Sequence, residues 1–391
     1  MSELKVNSIK GTGASTAAIT IDSSSGGCSA NITNNLTNRN LIINGDMKIA
    51  QRGTSSTTSG YGSVDRWNNF HNGTDEAPTQ SQVDVASGTT PYTSGFRKAL
   101  RMTNGNQTSG AGSGDYIAMQ HNIEAQNLAT SGWNYTSASS FVTLQFWIKS
   151  SVAQSFKGYL RTSDGTKQVY PFDTGSLSAD TWTKITKTVP GNSNIQIDND
   201  NGGGFQVNIV AFWGTDGTAS SVTENAWQAY SDSTRMKDNT STWYTTNDAT
   251  LEITGVQLEV GSVATDFEFR SFGQELALCQ RYFQQIGASG QDGTYTVAGG
   301  YLYSHGTYMA SGYVMPVMMR ATPTITQGST GLQCKSDGTT TNISSYNFID
   351  TAFPSTHISI SGQLASDAGN EDELCMWVNP SNGNATLSAE L

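Results

Sequence analysis

The chain has 391 residues and a formal net charge of −11, with 36% apolar, 9% aromatic and 14% charged residues. The charged share lies well below the roughly 25% of an average globular protein. This excludes a coiled-coil rod, a collagen-like repeat and a charged disordered tail, and the acidic balance argues against nucleic acid, which calls for a basic footprint. No apolar run is long enough for a spanning helix, and Met1–Lys5 lack the apolar core of a secretory signal, so neither membrane insertion nor secretion by a signal peptide is expected.

Residues 1–38 form a leader with sparse apolar positions: Leu4, Val6 and Ile9, then Ile19 and Ile21, then the Gly/Ser-rich run Ser23–Ser29. No aromatic residue precedes Tyr61. Such a segment cannot bury a core alone and is expected to add strands to a partner, to a virion-like platform or to copies of itself. Residues 39–270 read as short strands, among them Leu41–Ile43, Phe141–Ile148, Trp182–Val189, Phe205–Trp213 and Leu251–Val260. In Phe141–Ile148, Val142, Leu144, Phe146 and Ile148 share one face while Thr143, Gln145 and Trp147 share the other, the period of antiparallel sheet with one face in a core. Nine Asn-Gly or Asp-Gly dipeptides, starting at Asn44, Asn72, Asn104, Asp164, Asn201, Asp216, Asp292, Asp337 and Asn382, are strong hairpin signals. The pattern predicts an all-β jelly-roll β-sandwich, with Leu41–Ile43 beside Val256–Leu258 and Asp65 paired to Arg66 ahead of Trp67.

Over 271–287 the period changes. Ser271 and Gln274 have capping-box spacing, and Phe272, Leu276, Cys279, Phe283 and Ile286 follow at intervals of 4, 3, 4 and 3. The spacing predicts one connector helix over 272–286, docked on the sandwich or meeting its copies on a trimer axis. Residues 288–391 return to strands at Thr294–Tyr303, Gly306–Val317, Thr322–Thr326, Asn342–Phe348, His357–Ser361, Cys375–Val378 and Ala385–Leu391, enough for a small C-terminal β-domain. Cys28, Cys279, Cys334 and Cys375 have no C-x-x-C spacing, so buried thiols are expected rather than a disulfide framework or zinc site.

Catalytic patterns are missing. His71, His121, His305 and His357 stand far apart, and neither a G-x-S-x-G elbow nor a P-loop occurs. Gly110–Gly114 reads as a loop, Asp198–Gly202 as a turn whose EF-hand positions fail at Gly202 and Ile209, and Glu371–Glu373 as an acidic turn rather than a glycosidase pair. No catalytic residue, metal or cofactor is expected. Sugar recognition needs aromatic faces flanked by amides, carboxylates or guanidinium groups. Aromatics in turn-rich segments are the candidates: Tyr61, Trp133, Tyr135, Trp227, Tyr230, Trp243 and Tyr244. Tyr301 and Tyr303, alternating on one strand, could meet a glycan or a neighbouring subunit. Trp147, Trp182 and Trp213 sit in apolar strand runs suited to core or inter-subunit packing.

Three stretches carry a family resemblance. Asn40–Met47 (NLIINGDM), with Gln51-Arg52-Gly53 and Val64–Trp67 (VDRW), resembles the opening of phage tail-fibre and receptor-binding modules. Ile253–Ser262, continuing through Phe267-Glu268 and Arg270-Ser271-Phe272 into Glu275–Tyr282, is similar to the closing strand and following passage of the same modules. Pro316–Pro323 and Ser388–Leu391 resemble the ending of such fibres, with Ser388 where an Asp is usual. The leader from Ser2 to Asn7 is similar to N-termini in fibres of phages from marine bacteria, while the large attachment domain of short-tailed phage fibres is expected to be absent.

The resemblance implies a virion protein, assembled in the host cytoplasm as a homotrimer. It further implies attachment to other tail or virion proteins through residues 1–38, and non-catalytic binding of a host-surface glycan. It makes Asp46 a candidate ligand for a structural calcium. Two alternatives stay open: a virion decoration or head-fibre protein, and a tail-spike depolymerase or hydrolase-associated sugar-binding module.

Overall fold

Alternation of apolar and polar side chains builds the body of the molecule. The computed structural model describes residues 6–9, 12, 19–21, 24, 28–30, 38–286, 295–304, 307–327, 332–336, 339–348, 357–366, 374–379 and 385–391. In the leader, β1 (Ser8–Ile9), β2 (Ile19–Ile21) and β3 (Cys28–Ala30) pair antiparallel in a small sheet of their own. The next strands are β4 (Ser55–Ser56), β5 (Trp67–Asn72), β6 (Thr79–Asp84), β7 (Lys98–Thr103), β8 (Tyr116–Glu124) and β9 (Phe141–Ser150). They continue with β10 (Ser155–Thr162), β11 (Gln168–Ser176), β12 (Thr183–Pro190), β13 (Gly203–Trp213), β14 (Gln228–Ala229) and β15 (Thr250–Val260). One sheet runs β12-β9-β15-β7-β6-β4 and the other β14-β11-β10-β13-β8-β5. The fold is an all-β jelly-roll sandwich.

The inner faces supply the core. Val142, Leu144, Phe146 and Ile148 of β9 are fully buried, as the alternation predicts, and meet Ile117 and Met119 of β8, Phe172 of β11 and Val207 and Ile209 of β13. Within the sandwich, most of the Asn-Gly and Asp-Gly pairs correct the hairpin expectation. Among the described residues of the sandwich, Asp164-Gly165 alone lies between strands that pair with each other, β10 and β11. Asn72-Gly73, Asn104-Gly105 and Asn201-Gly202 instead lie where the chain crosses from one sheet to the other. Gly165 in the hairpin and Gly73 in the first crossing take the left-handed conformation of tight turns, whereas Asn104-Gly105 and Asn201-Gly202 do not.

Leu41–Ile43 does lie beside β15, but not as a strand. Leu41 N donates to Leu258 O at 2.9 Å, and the Asn40 amide takes the next ladder positions: its Oδ1 accepts from Leu258 N at 3.1 Å and its Nδ2 donates to Val256 O at 3.2 Å. The opening segment therefore passes so close to β15 that a Cβ on Gly45 would stand 2.1 Å from Val256 O. β15 itself bulges between Thr254 and Gln257, where Gly255 has φ +62°.

Short helices α1 (Thr90–Thr93) and α2 (Ala125–Ala129) lie in the connections from β6 to β7 and from β8 to β9. The connector α3 (Phe272–Gln280) begins with the expected capping box, Ser271 Oγ accepting from Gln274 N and Ser271 N donating to Gln274 Oε1. It ends six residues before the predicted stop, because Phe283–Ile286 is a strand, β16. A helix this short gains little by extending, whereas β16 satisfies its backbone by pairing with β24 (Ala385–Ser388).

Between them lie β17 (Tyr295–Tyr303), β18 (Tyr308–Val314), β19 (Thr324–Gln327), β20 (Gln333–Ser336), β21 (Thr339–Phe348), β22 (His357–Leu364) and β23 (Leu374–Asn379). Six of these close a barrel in the order β17-β18-β22-β21-β20-β23, while β16-β24-β19 form a sheet at its foot. Leu302, Met309, Ile343 and Ile360 fill the barrel, joined by Ile286 and Leu387 from the foot. β16 and β20 are strands that the sequence pattern does not announce. Cys279 and Cys334 are buried, as expected. The side chains of Cys28, Cys375 and Tyr303, and the acidic run 371–373, lie outside the described residues.

Gly45→Ala is expected to lower stability by about 1–3 kcal/mol, because the new methyl must push the opening segment off β15. Urea unfolding followed by tryptophan fluorescence measures the change, and an unchanged midpoint would contradict the close approach.

Candidate functional site

The motifs of the family resemblance meet in one place, a buried junction between sandwich and barrel foot. Arg66 is fully buried, with φ +71°, a backbone conformation costly for a non-glycine residue. Its guanidinium pairs with Glu390, lies 3.4 Å over the Tyr282 ring and donates to Asn122 O at 2.7 Å. Arg52 Nη2 reaches the other Glu390 oxygen at 3.0 Å, and its guanidinium lies 3.6 Å over Phe283.

Leu391 O accepts from Tyr61 Oη and from Asn122 Nδ2, both at 2.9 Å. Arg320 Nε donates to Ala389 O at 2.8 Å. Arg281 forks onto Glu124 with two contacts of 2.8 Å. The expected Asp65–Arg66 pair is therefore corrected. Arg66 pairs 324 residues away, and Asp65 instead accepts from Gln51 N at 3.0 Å and faces Arg52 at 3.7 Å. The two residues lie in a turn in which Arg66 takes a left-handed backbone, and this sends its side chain away from that of Asp65.

Burial pushes the Asp65 carboxyl up to about 6 against the pull of Arg52 and the Gln51 hydrogen bonds. Burial lowers His121 well below its ordinary range, so its imidazole is neutral beside Ile43. Asp46 forms an ion pair with Lys48 at 2.8 Å, and among the described residues no group of three carboxylate, imidazole or thiol side chains is placed to hold a metal.

The predicted ligand aromatics scatter. Trp133, Trp243 and Tyr244 are buried at 3%, 0% and 1% exposure, which corrects their reading as surface platforms. The segments that carry them fold over the sandwich and plug its core: Trp133 meets Phe205 edge-on, and Tyr244 stacks on Phe212 at 4.4 Å. Tyr61 is held in the junction, and half-buried Tyr135 packs against Trp133. Tyr301 is 50% exposed on the barrel. Trp147 and Trp182 pack on the outer face of the first sheet with Phe96 and Phe267, and Trp213 packs on the outer face of the second.

Trp227 does border a cleft. Its indole donates to Pro190 O at 2.6 Å and rests on Tyr170 at 5.3 Å, which leaves it half-buried beside a concavity of about 470 Å³. Thr166, Gln168, Ser193, Asn194, Gln196, Gln228 and Ala229 complete the lining. The volume falls in the range of small-ligand sites. One indole among amides and hydroxyls offers an apolar face plus paired donors and acceptors. Gln228 Nε2 is buried there with no partner. Tyr230, three residues on, lies on the adjoining outer face, 4.7 Å under the Arg161 guanidinium.

The amides of this cleft carry no pattern in the sequence. They come from the β10–β11 turn, the 193–196 loop and β14, which only the jelly-roll crossing brings together. The one local signal is Gln228 next to Trp227.

No family model matches the chain, and no curated protein matches it. Solved structures with some similarity include the enzymatically active domain of tailspike protein 4 of bacteriophage CBA120 (10% identity, 57% of this chain and 21% of that one, TM-score 0.30). A CBM4 structure matches at 12% identity over 56% of this chain and 99% of that one, TM-score 0.30. The family 11 carbohydrate-binding module of Clostridium thermocellum, in complex with a mixed-linked tetrasaccharide, matches at 12% identity over 54% and 98%, TM-score 0.25. The chain spans about a fifth of the tailspike chain.

Glu390→Ala is expected to destabilise the chain by about 3–5 kcal/mol, since it strands the buried Arg66 charge. Calorimetric melting checks this, and a shift no larger than that of a surface control would contradict the junction.

A second expectation concerns pH. The Asp65 carboxyl is raised in the folded chain, so its stabilising contribution is fully present below about 3.8 and is lost as pH rises through about 6. The Asp65→Asn variant should accordingly show a flatter fall in stability from pH 5 to pH 7 than the parent, measured by denaturant midpoints at each pH.

Proposed function

We propose that this chain is a structural protein of a phage tail fibre that holds a host-surface glycan without turning it over, as a homotrimer. The Trp227 cleft is the observation that carries the glycan reading. A pyranose presents apolar C–H groups on one face and hydroxyls round its edge, and the cleft pairs a half-buried indole with an arc of amides and hydroxyls, one amide donor still unpartnered. The fibre reading is supported by the resemblance of the opening, connector and ending motifs. Trimeric assembly would multiply weak single-sugar contacts into avidity.

Affinity electrophoresis through gels containing bacterial surface polysaccharides tests the binding. Retardation of the full chain, lost in Trp227→Ala but kept in Tyr301→Ala, is the expected result. Mobility unaffected by every polysaccharide, or retardation untouched by Trp227→Ala, would sink the cleft. Light scattering should return three times the 41.7 kDa chain mass, and a monomer at micromolar concentration would end the trimer reading. Release of reducing ends from a retarding polysaccharide would make the chain an enzyme instead.

A further inference from the structure

The second sheet's outer face, next to the Trp227 cleft, is paved with amides. Asn208 of β13 stands opposite Gln120 of β8 and Tyr159 of β10, and Gln206 stands opposite Asn122 and Arg161. Side chains two apart on a strand share a face, so Asn208, Gln206, Gln120 and Arg161 form one patch. Its acceptors are already used within it: Gln120 Nε2 donates to Asn208 Oδ1 at 3.0 Å and to Gln206 Oε1 at 3.2 Å.

Its donors are not all used. Asn208 is fully buried, yet its Nδ2 has no partner, and Arg161 Nε has none either. Leaving a buried donor unmade costs about 1–3 kcal/mol, which an incoming acceptor would recover. Among the described residues no carboxylate lies within ion-pair distance of the Arg161 guanidinium.

The patch is bordered by stacked cations and rings. Arg161 lies 4.7 Å over Tyr230, and Arg235 lies 3.8 Å over Trp213. Tyr230 Oη donates to Asp232 Oδ1 at 2.6 Å, and Asp232 is the carboxylate that partly offsets Arg235, at 3.5 Å. Nearby Lys157 is neutralised by Asp173 and Glu224, both at 2.6 Å. What remains is a surplus of donors and a guanidinium that meets the Tyr230 hydroxyl and the more distant charge of Asp232, on a chain whose net charge is −11.

We infer that this face binds an acidic sugar, its carboxylate received by Arg161 and Asn208 while its hydroxyls meet Gln206 and Gln120. The inference rests on the glycan-binding reading above and names the sugar class. A carboxylate takes acceptor-only contacts, and charge-assisted hydrogen bonds are roughly twice as strong as neutral ones. A neutral sugar brings as many donors as acceptors and would leave the imbalance in place.

Calorimetric titration of the full chain at low salt with tetragalacturonate, and with its carboxyl-reduced neutral counterpart, tests this. The acidic form is expected to bind about tenfold more tightly, one charge-assisted bond's worth. Arg161→Gln should abolish that preference, and Tyr301→Ala should leave it intact, with circular dichroism confirming that both variants fold. Equal affinity for the two probes, a preference that survives Arg161→Gln, or no binding of either probe would overturn the inference. If the chain is still retarded by a polysaccharide in the electrophoresis test, the glycan reading stands without this one. If it is not, both fall.

Discussion

The structure depends on keeping one buried positive charge satisfied. Arg66 has no water and little conformational freedom, so its guanidinium needs a carboxylate, and the one it finds is Glu390. That requirement ties the first turns of the sandwich to the last residues of the chain. The aromatic rings of Tyr282 and Phe283 are held between the two, each under a guanidinium. Paired burial of this kind adds modest net stability but makes other arrangements costly, which suits a joint that must close in one way.

Much of the fold could be read from the residues, for a physical reason. Period-two alternation is a local consequence of burying one face of a sheet, so β9 shows in its own ten residues. The capping box of α3 is equally local. What the pattern missed depends on distant partners. β16 is a strand because β24 lies beside it, and nothing within Phe283–Ile286 says so against a run of helical spacing. Among the described residues most Asn-Gly and Asp-Gly pairs do mark a turn or bend, Asn104-Gly105 being an exception, but which strands those turns join is a property of the whole sandwich.

The site was legible only in part. Trp227 stands out in the sequence as an aromatic in a turn-rich stretch, and it does edge a cleft. Trp133, Trp243 and Tyr244 carry the same signal and are core. Local composition cannot separate a ring lying over the end of a sandwich from a ring facing outward. The amides around Trp227 and on the neighbouring outer face are invisible beforehand, because Asn and Gln are common here: the jelly-roll crossings gather the first set, and the register of β8, β10 and β13 selects the second. The motifs of the family resemblance, by contrast, mark the joint and neither the Trp227 cleft nor the amide face.

The pairing of β16 with β24 has a consequence for how such a chain can vary. The strand entering the barrel and the strand leaving it are hydrogen-bonded neighbours, from Phe283 opposite Ser388 to Ile286 opposite Ala385. Everything between them hangs from a closed stem whose two feet sit side by side. A different barrel could be spliced onto that stem only if it kept β19 beside β24 and an arginine in the place of Arg320, which holds Ala389 and Asn201. The stem is thus pinned to the sandwich from within the inserted segment as well as at its two feet.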